Sequence, residues 1–322
     1  MKLLVAGAGG FVGGHLVKKL IELNYQVIAV DIKNTKDWYQ KSDQAQNIQL
    51  DLSVKDNCYE VTKNVNGVFN LACNMGGMGF IENNKALCMI SVLINTHLLL
   101  AARDNKVNKF FFSSSACAYN VSLQSNNNVT ALKESDAYPA MPEDGYGWEK
   151  LFSERMCNHF YEDYGLDVKV ARYHNVYGPC GTYDGGREKA PAALARKVIT
   201  AKKNNIDEIE VWGDGSQKRS FLYIDDCIDA SINLFNSSIN GPLNVGSEEL
   251  VSINDMIKIL ESIGKKTFKK KYLLDKPKGV KGRNSDNSLI KKTLNWEPKY
   301  SLKEGLEKTY LWIEEQIIKN AK

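Results

Sequence analysis

Short apolar runs alternate with helical stretches through the first half of the chain. Leu3-Leu4-Val5-Ala6, Val27-Ile28-Ala29-Val30, Gly67 to Leu71 and Lys109 to Ser113 are runs of strand length. From Phe11 to Leu23, apolar side chains at 11, 12, 16, 20 and 21 fall on or near one helical face. Residues 85–104 and 146–164 also read as helices. Strands alternating with helices predict an α/β fold, a doubly wound parallel sheet covered on both faces. Near-continuous apolar strands suit such burial.

After about residue 173 the pattern loosens. Gly, Pro and charged residues crowd 178–191 and 212–220, and two later helices stand out, Ile224 to Leu234 and Leu302 to Ile318. Residues 1–175 and 222–246 are expected to form a dinucleotide-binding domain. Residues 176–221 and 247–322 are expected to form a smaller, mixed α/β substrate domain over the carboxyl edge of the sheet, where open α/β sheets bind ligands.

Composition narrows the class. A chain of 322 residues, 43% hydrophobic, can bury a large core. Lys plus Arg number 42 against 38 Asp plus Glu, and a net charge of +4 gives no case for nucleic acid. The seven cysteines are scattered, odd in number and without a Cys-x-x-Cys pair, so reduced thiols and a cytosolic setting are expected. The four histidines form no ligand-spaced cluster, so no metal is expected. No apolar run approaches the roughly 18 residues expected of a membrane helix, so no membrane partner is expected.

Candidate chemistry begins at the first strand's end. Gly7, Gly10 and Gly13 make Gly-x-x-Gly-x-x-Gly, with Phe11 and Val12 opening the helix. Glycines permit a tight turn and close approach of backbone to a pyrophosphate, and the helix start offers free N–H groups. The turn points to a Rossmann-type fold. Asp31 ends the second strand, where a carboxylate accepts both ribose hydroxyls and repels a 2′-phosphate, favouring NAD; a solvated turn aspartate is the plainer alternative. Asp51 could hold the adenine amino group, and Leu71, at the end of the Gly67 to Leu71 strand, is a further cofactor-binding candidate. Tyr146 and Lys150 form Tyr-x-x-x-Lys, an i, i+4 pair on one helical face. A nearby ammonium stabilises a phenolate, so Tyr146 can serve as a base. Ser113-Ser114-Ser115 closes the preceding strand and could bond the same substrate oxygen.

Together these motifs resemble the extended short-chain dehydrogenase/reductase superfamily. Within it, Asn74 to Phe80, Ser114 to Cys117, Gly185 to Pro191, Trp212 to Phe221 and Gly282 to Asp286 are similar to the GDP-mannose 3,5-epimerases, and the likeness runs from residue 1 to about 318. The resemblance implies NAD as cofactor, a GDP-sugar (GDP-mannose) as substrate, and a homodimer packed through residues 85–104 and 146–164. It implies that Tyr146 and Lys150, with Ser115, oxidise carbon 4 of the hexose. Cys117 and Lys189 become the acid/base pair at carbons 5 and 3. Gly77 and Met78 shape the sugar pocket with Ala190, and Asn175, Glu188, Lys197, Gln217, Arg219 and Arg283 hold the nucleotide diphosphate.

Plainer readings stay open. Cys117 could be a small buried apolar residue, Lys189 a solvated lysine at a helix start, and Arg283 a surface partner of Asp286. The lysines at 265, 266, 269, 270, 271, 276, 278 and 281 read as a solvated face. Ser91 stands where the superfamily usually carries Asn, Cys73 where it carries Ala, and Asn120 where it carries Pro; 120–131 reads as a divergent surface loop. A 4-epimerase or 4,6-dehydratase acting on another nucleotide sugar is one alternative, although dehydratases usually place an Asp and a Glu where this chain has Ala116-Cys117. An idle NAD-binding scaffold is another.

Overall fold

A computed structural model describes residues 1–126, 129–276 and 279–320; Lys278, counted above in the solvated lysine face, lies outside them. Seven parallel strands form the main sheet, in the spatial order Gly241–Val245, Asp167–Tyr173, Lys109–Ser115, Gly67–Asn70, Lys2–Ala6, Gln26–Asp31 and Gln46–Gln49. Chain order runs outward from Lys2–Ala6 in one direction, then resumes beside it in the other. That reversal opens a crevice at the carboxyl ends of Lys2–Ala6 and Gly67–Asn70, the place where doubly wound sheets take ligands.

The period of two decides which side chains meet which layer. Leu3, Val5, Phe69 and Phe111 face the helices Phe11–Glu22 and Ile224–Asn236, and Phe69 stacks on Phe235 at 4.3 Å. Leu4, Ala6, Val68, Phe110 and Phe112 face the other way, with Leu98, Leu99 and Cys157 from Val92–Asp104 and Asp144–Tyr164. The sheet is thus apolar on both sides, which is why its strands read as continuous runs.

The expected helix over 85–104 is two, Lys85–Ile90 and Val92–Asp104, meeting at Ser91. The expectation that no apolar run approaches membrane-helix length does not hold. Taken as one stretch, Lys85–Asp104 has a mean hydropathy of 1.7 over a membrane-length window and is, by length and composition, able to cross a membrane. Asn95, Thr96 and His97 interrupt the run, so its apolar character shows only when averaged over the whole stretch. In the fold, Leu98, Leu99, Ala101 and Ala102 pack inward.

Beyond residue 173 the structure is more regular than the sequence pattern suggests. Helices Ala190–Lys203, Ile253–Gly264 and Leu302–Lys319 pack on one another and share a core with the main sheet. A second sheet runs in the order Leu250–Ser252, Lys218–Ser220, Gly282–Ser285, Ala131–Leu132. Its central pairing sets Arg219 beside Arg283. The main sheet recruits Gly241–Val245 from late in the chain, and the small sheet recruits Ala131–Leu132 from early in it.

Candidate active site

The glycine turn is built for close approach. Gly7 has φ +84, and its N–H and that of Ala8 both donate to the Val30 carbonyl, at 2.8 and 3.0 Å. A Cβ on Gly13 would lie 2.0 Å from the Gly7 carbonyl oxygen, and one on Gly7 would lie 2.9 Å from the Leu71 carbonyl. Gly10 caps the helix that Phe11 and Val12 begin. Asp31 accepts the Gly9 N–H at 3.0 Å and the Lys33 N–H at 2.9 Å, so its carboxylate is fixed at the rim of the turn. Asp51 accepts the Ser53 N–H at 2.8 Å just beyond the neighbouring strand, and Leu71 donates to the Ala6 carbonyl at 3.0 Å. Side-chain-free backbone at a helix start, with a carboxylate at the next strand's end, fits a dinucleotide. Trp38, which the sequence reading passed over, covers this turn: a Cβ on Gly9 would stand 2.4 Å from its indole nitrogen.

Tyr146 and Lys150 lie together near the start of Asp144–Tyr164, 5% and 1% exposed. Lys150 Nζ sits 5.5 Å from the centre of the Tyr146 ring and 4.8 Å from that of Phe112. Glu149 lies 3.3 Å from the same ammonium and accepts the Ser153 hydroxyl at 3.0 Å. Burial alone would lower the Lys150 pKa, but Cys73 and Glu149 outweigh it, so the amine is held charged. Burial raises the Tyr146 phenol well above its ordinary value, with Cys73, Cys117 and Glu149 adding to the rise and Ser115 opposing it. Ser115, the last residue of its strand, accepts the Cys117 N–H at 3.1 Å and tightens the Ala116–Ala118 turn.

Cys117 is 7% exposed. Lys189 is half-buried and occupies the N-cap of Ala190–Lys203, so Ala190 is the first helical residue. Burial lowers the Lys189 amine, while Cys117 and Cys73 raise it; the two expected acid/base groups therefore lie within electrostatic reach of each other. Gly77 donates its N–H to the Arg187 carbonyl at 3.0 Å, which seats the Met78 loop against the segment carrying Lys189. Met78 and Gly279 line a cavity of about 950 Å³ together with Gln124 and Glu143.

Arg283 does not pair with Asp286 at the surface. It is 4% exposed. Its Nη2 donates to Glu143 at 2.8 Å, its Nε to Gln124 at 2.6 Å, and its Nη1 points at Cys117 Sγ, 3.6 Å away. Arg219 lies beside it and donates to the carbonyls of Lys218 and Val280. Lys197 and Gln217 meet at the half-exposed Trp212, whose ring lies 3.5 Å from where a Cβ on Gly79 of the Met78 loop would stand: Lys197 Nζ is 5.9 Å from the Trp212 ring centre and donates to the Glu210 carbonyl at 2.8 Å, and Gln217 donates to the Trp212 carbonyl at 3.2 Å. Glu188 accepts from Arg196 of the helix Ala190–Lys203 at 3.1 Å and from the Gly186 N–H of its own loop at 2.7 Å. Asn175, at φ 45, donates to the Ser220 carbonyl at 2.9 Å. Ser91 accepts the Asn74 N–H at 2.9 Å, and one turn on, buried Asn95 accepts from Asn70 at 3.0 Å.

Glu143 and Gln124 were not foreseen. Glu143 precedes the Tyr-x-x-x-Lys motif without belonging to it, and Gln124 falls in what reads as a divergent surface loop, yet it is 1% exposed.

The sequence matches the NAD dependent epimerase/dehydratase family over residues 3–246. It is 46% identical to GDP-mannose 3,5-epimerase 1 of Oryza sativa subsp. indica over 320 residues, 99% of this chain and 83% of the relative. The fold resembles the UDP-glucose 4-epimerase of Thermotoga maritima solved with UDP-glucose, at TM-score 0.88 and 27% identity over 98% of this chain and 100% of that one. It also resembles the UDP-glucuronic acid 4-epimerase of Bacillus cereus in complex with UDP-glucuronic acid and NAD, at TM-score 0.82 and 27% identity over 98% and 100%. A likeness of this extent, on a fold whose crevice carries the glycine turn and the Tyr146–Lys150 pair, is one of membership: the chain belongs to the NAD dependent epimerase/dehydratase family and is an NAD-dependent epimerase similar to the GDP-mannose 3,5-epimerases.

Proposed function

We propose that this protein epimerises GDP-mannose at carbons 3 and 5, giving GDP-L-galactose with GDP-L-gulose as the carbon-5 product, through a transient 4-keto sugar. The observation that carries the proposal is Cys117 packed in one cluster with Tyr146 and within electrostatic reach of Lys189, in a chain 46% identical to a GDP-mannose 3,5-epimerase.

A ring C–H beside an alcohol carbon is not acidic; beside a ketone it is. Bound NAD, held by the Gly7–Gly13 turn and Asp31, supplies a reversible hydride acceptor at carbon 4. Tyr146 takes the carbon-4 hydroxyl proton, Lys150 steadies the phenolate with its charge, and Ser115 bonds the same oxygen. Cys117 and Lys189 then exchange protons with carbons 5 and 3, one removing and the other delivering across the ring plane. Arg219 and Arg283 offer fixed positive charge to the diphosphate. Gly77 and Met78 bound the sugar.

Two further parts of the proposal concern the whole molecule. Leu87, Met89, Ile90, Leu93, Trp148 and Phe152 are exposed on the packed helices Lys85–Ile90, Val92–Asp104 and Asp144–Tyr164, an apolar face of the kind a second copy covers. All seven cysteines are free, in keeping with a reducing, cytosolic setting.

Turnover of GDP-mannose in deuterated water tests the reaction, with products read by NMR and mass spectrometry. Solvent label belongs at carbons 3 and 5 and not at carbon 4. Label at carbon 4, or at carbon 6 with loss of water, would reject it, the latter in favour of a dehydratase.

A further inference from the structure

The proposed reaction leaves one buried acid beside Cys117 without a task. Glu143 is 8% exposed, and its backbone N–H donates to the Cys117 carbonyl at 2.9 Å. A Cβ on Gly147 would stand 2.3 Å from that same carbonyl oxygen, so the start of Asp144–Tyr164 is seated directly on the Ala116–Ala118 turn. Arg283 joins the two side chains from the second sheet, 3.6 Å from Cys117 Sγ and 2.8 Å from the Glu143 carboxylate. Gln124 holds the remaining edge of the guanidinium at 2.6 Å.

We propose that Glu143 is a positioning residue that governs whether Cys117 carries its proton, with Arg283 as the opposing charge. The inference rests on Cys117 being an acid/base group of the proposed reaction. A guanidinium beside a thiol favours the thiolate, and a carboxylate favours the thiol. Arg283 is charged throughout the working pH range. Burial would raise the Glu143 carboxyl, but Arg283, the hydrogen bonds to Cys117 and Arg283, and Arg219 nearby hold it below the usual range. Burial pushes the Cys117 thiol up to about 11, with Glu143 adding to the rise and Arg283 opposing it. The other ionisable groups facing the thiol are Lys189 from Ala190–Lys203, Tyr146 from Asp144–Tyr164, and Arg219 beside Arg283. At the sulfur, Glu143 opposes Arg283; without it, the guanidinium acts on the thiol unopposed by that carboxylate. Cys117 therefore rests as a neutral thiol, ready to give a proton, and forms a thiolate only within the cycle.

The test follows the ultraviolet absorbance of the thiolate as pH is raised in the NAD-bound protein, taken as the difference from the matching Cys117→Ser protein. Wild type should show no Cys117 thiolate at neutral pH. Glu143→Gln keeps the shape and removes the charge; its thiol should ionise at lower pH, with about tenfold or more thiolate at neutral pH. Glu143→Asp keeps the charge and should restore the wild-type titration. An unchanged titration in a Glu143→Gln protein that still binds NAD overturns the proposal. So does Cys117 thiolate at neutral pH in wild type, a result that needs no Glu143 variant. The titration needs no turnover, so it stands or falls separately from the part Cys117 plays in epimerisation.

Discussion

A Cβ placed on Gly77 would lie 2.4 Å from the carbonyl oxygen of Glu188. These residues are far apart in sequence, and their backbones touch because one of them has no side chain. The contact fixes the Met78 loop against the residue preceding Lys189.

Gly77→Ala should therefore injure substrate turnover and spare cofactor binding. Forcing a methyl into packed backbone costs about 1–3 kcal/mol, which corresponds to a fall in kcat/KM of roughly fivefold to 150-fold if it falls on the transition state. Steady-state kinetics and NAD content check it; wild-type kcat/KM would show that the loop's seating does not matter to the reaction.

Tyr146→Phe and Lys189→Met should fail at different steps. Without the Tyr146 hydroxyl no ketone forms, and turnover should drop at least about a hundredfold, the lower range for a general base. Lys189→Met leaves Tyr146 and Lys150 intact, so NADH absorbance should appear on adding substrate while solvent exchange at the sugar carbons is lost. Normal epimerisation by Lys189→Met would remove that residue from the mechanism.

His174 makes stability depend on pH. It is fully buried and bonded to Asn244 at 2.9 Å, and burial lowers its pKa from 6.5 to about 3. The unfolded chain takes up this proton as pH falls through 6.5, the folded protein only near 3. Between those values the unfolded state binds more protons, so stability falls with falling pH, by at most about 1.4 kcal/mol per unit from this group. Urea midpoints at pH 7 and pH 5 should differ more in wild type than in His174→Gln. Equal differences would mean that another group carries the effect.

Phe152, 56% exposed, belongs to the apolar face of the helices Lys85–Ile90, Val92–Asp104 and Asp144–Tyr164. If a second copy covers that face, Phe152→Asp places a charge in the interface and should shift sedimentation from dimer towards monomer. A wild-type protein that sediments as a monomer would remove the proposed dimer.

What the sequence determined by itself is what depends on neighbours along the chain. The glycine turn, the apolar strands, the start of the helix bearing Tyr146 and Lys150, and the N-cap position of Lys189 follow from local periodicity and from the special freedom of glycine. Tertiary structure decided which of the candidates meet. It turned Arg283 away from Asp286, three residues on, and onto Glu143, 140 residues before it. It drew Gln124 out of an apparent surface loop into that cluster, and brought Lys197 and Gln217 together at Trp212, beside the Met78 loop. Such choices lie beyond any local pattern. A buried guanidinium must find an anion wherever the sheets bring one, and the pairing of Lys218–Ser220 with Gly282–Ser285, which sets Arg219 beside Arg283, is made only when the second sheet closes.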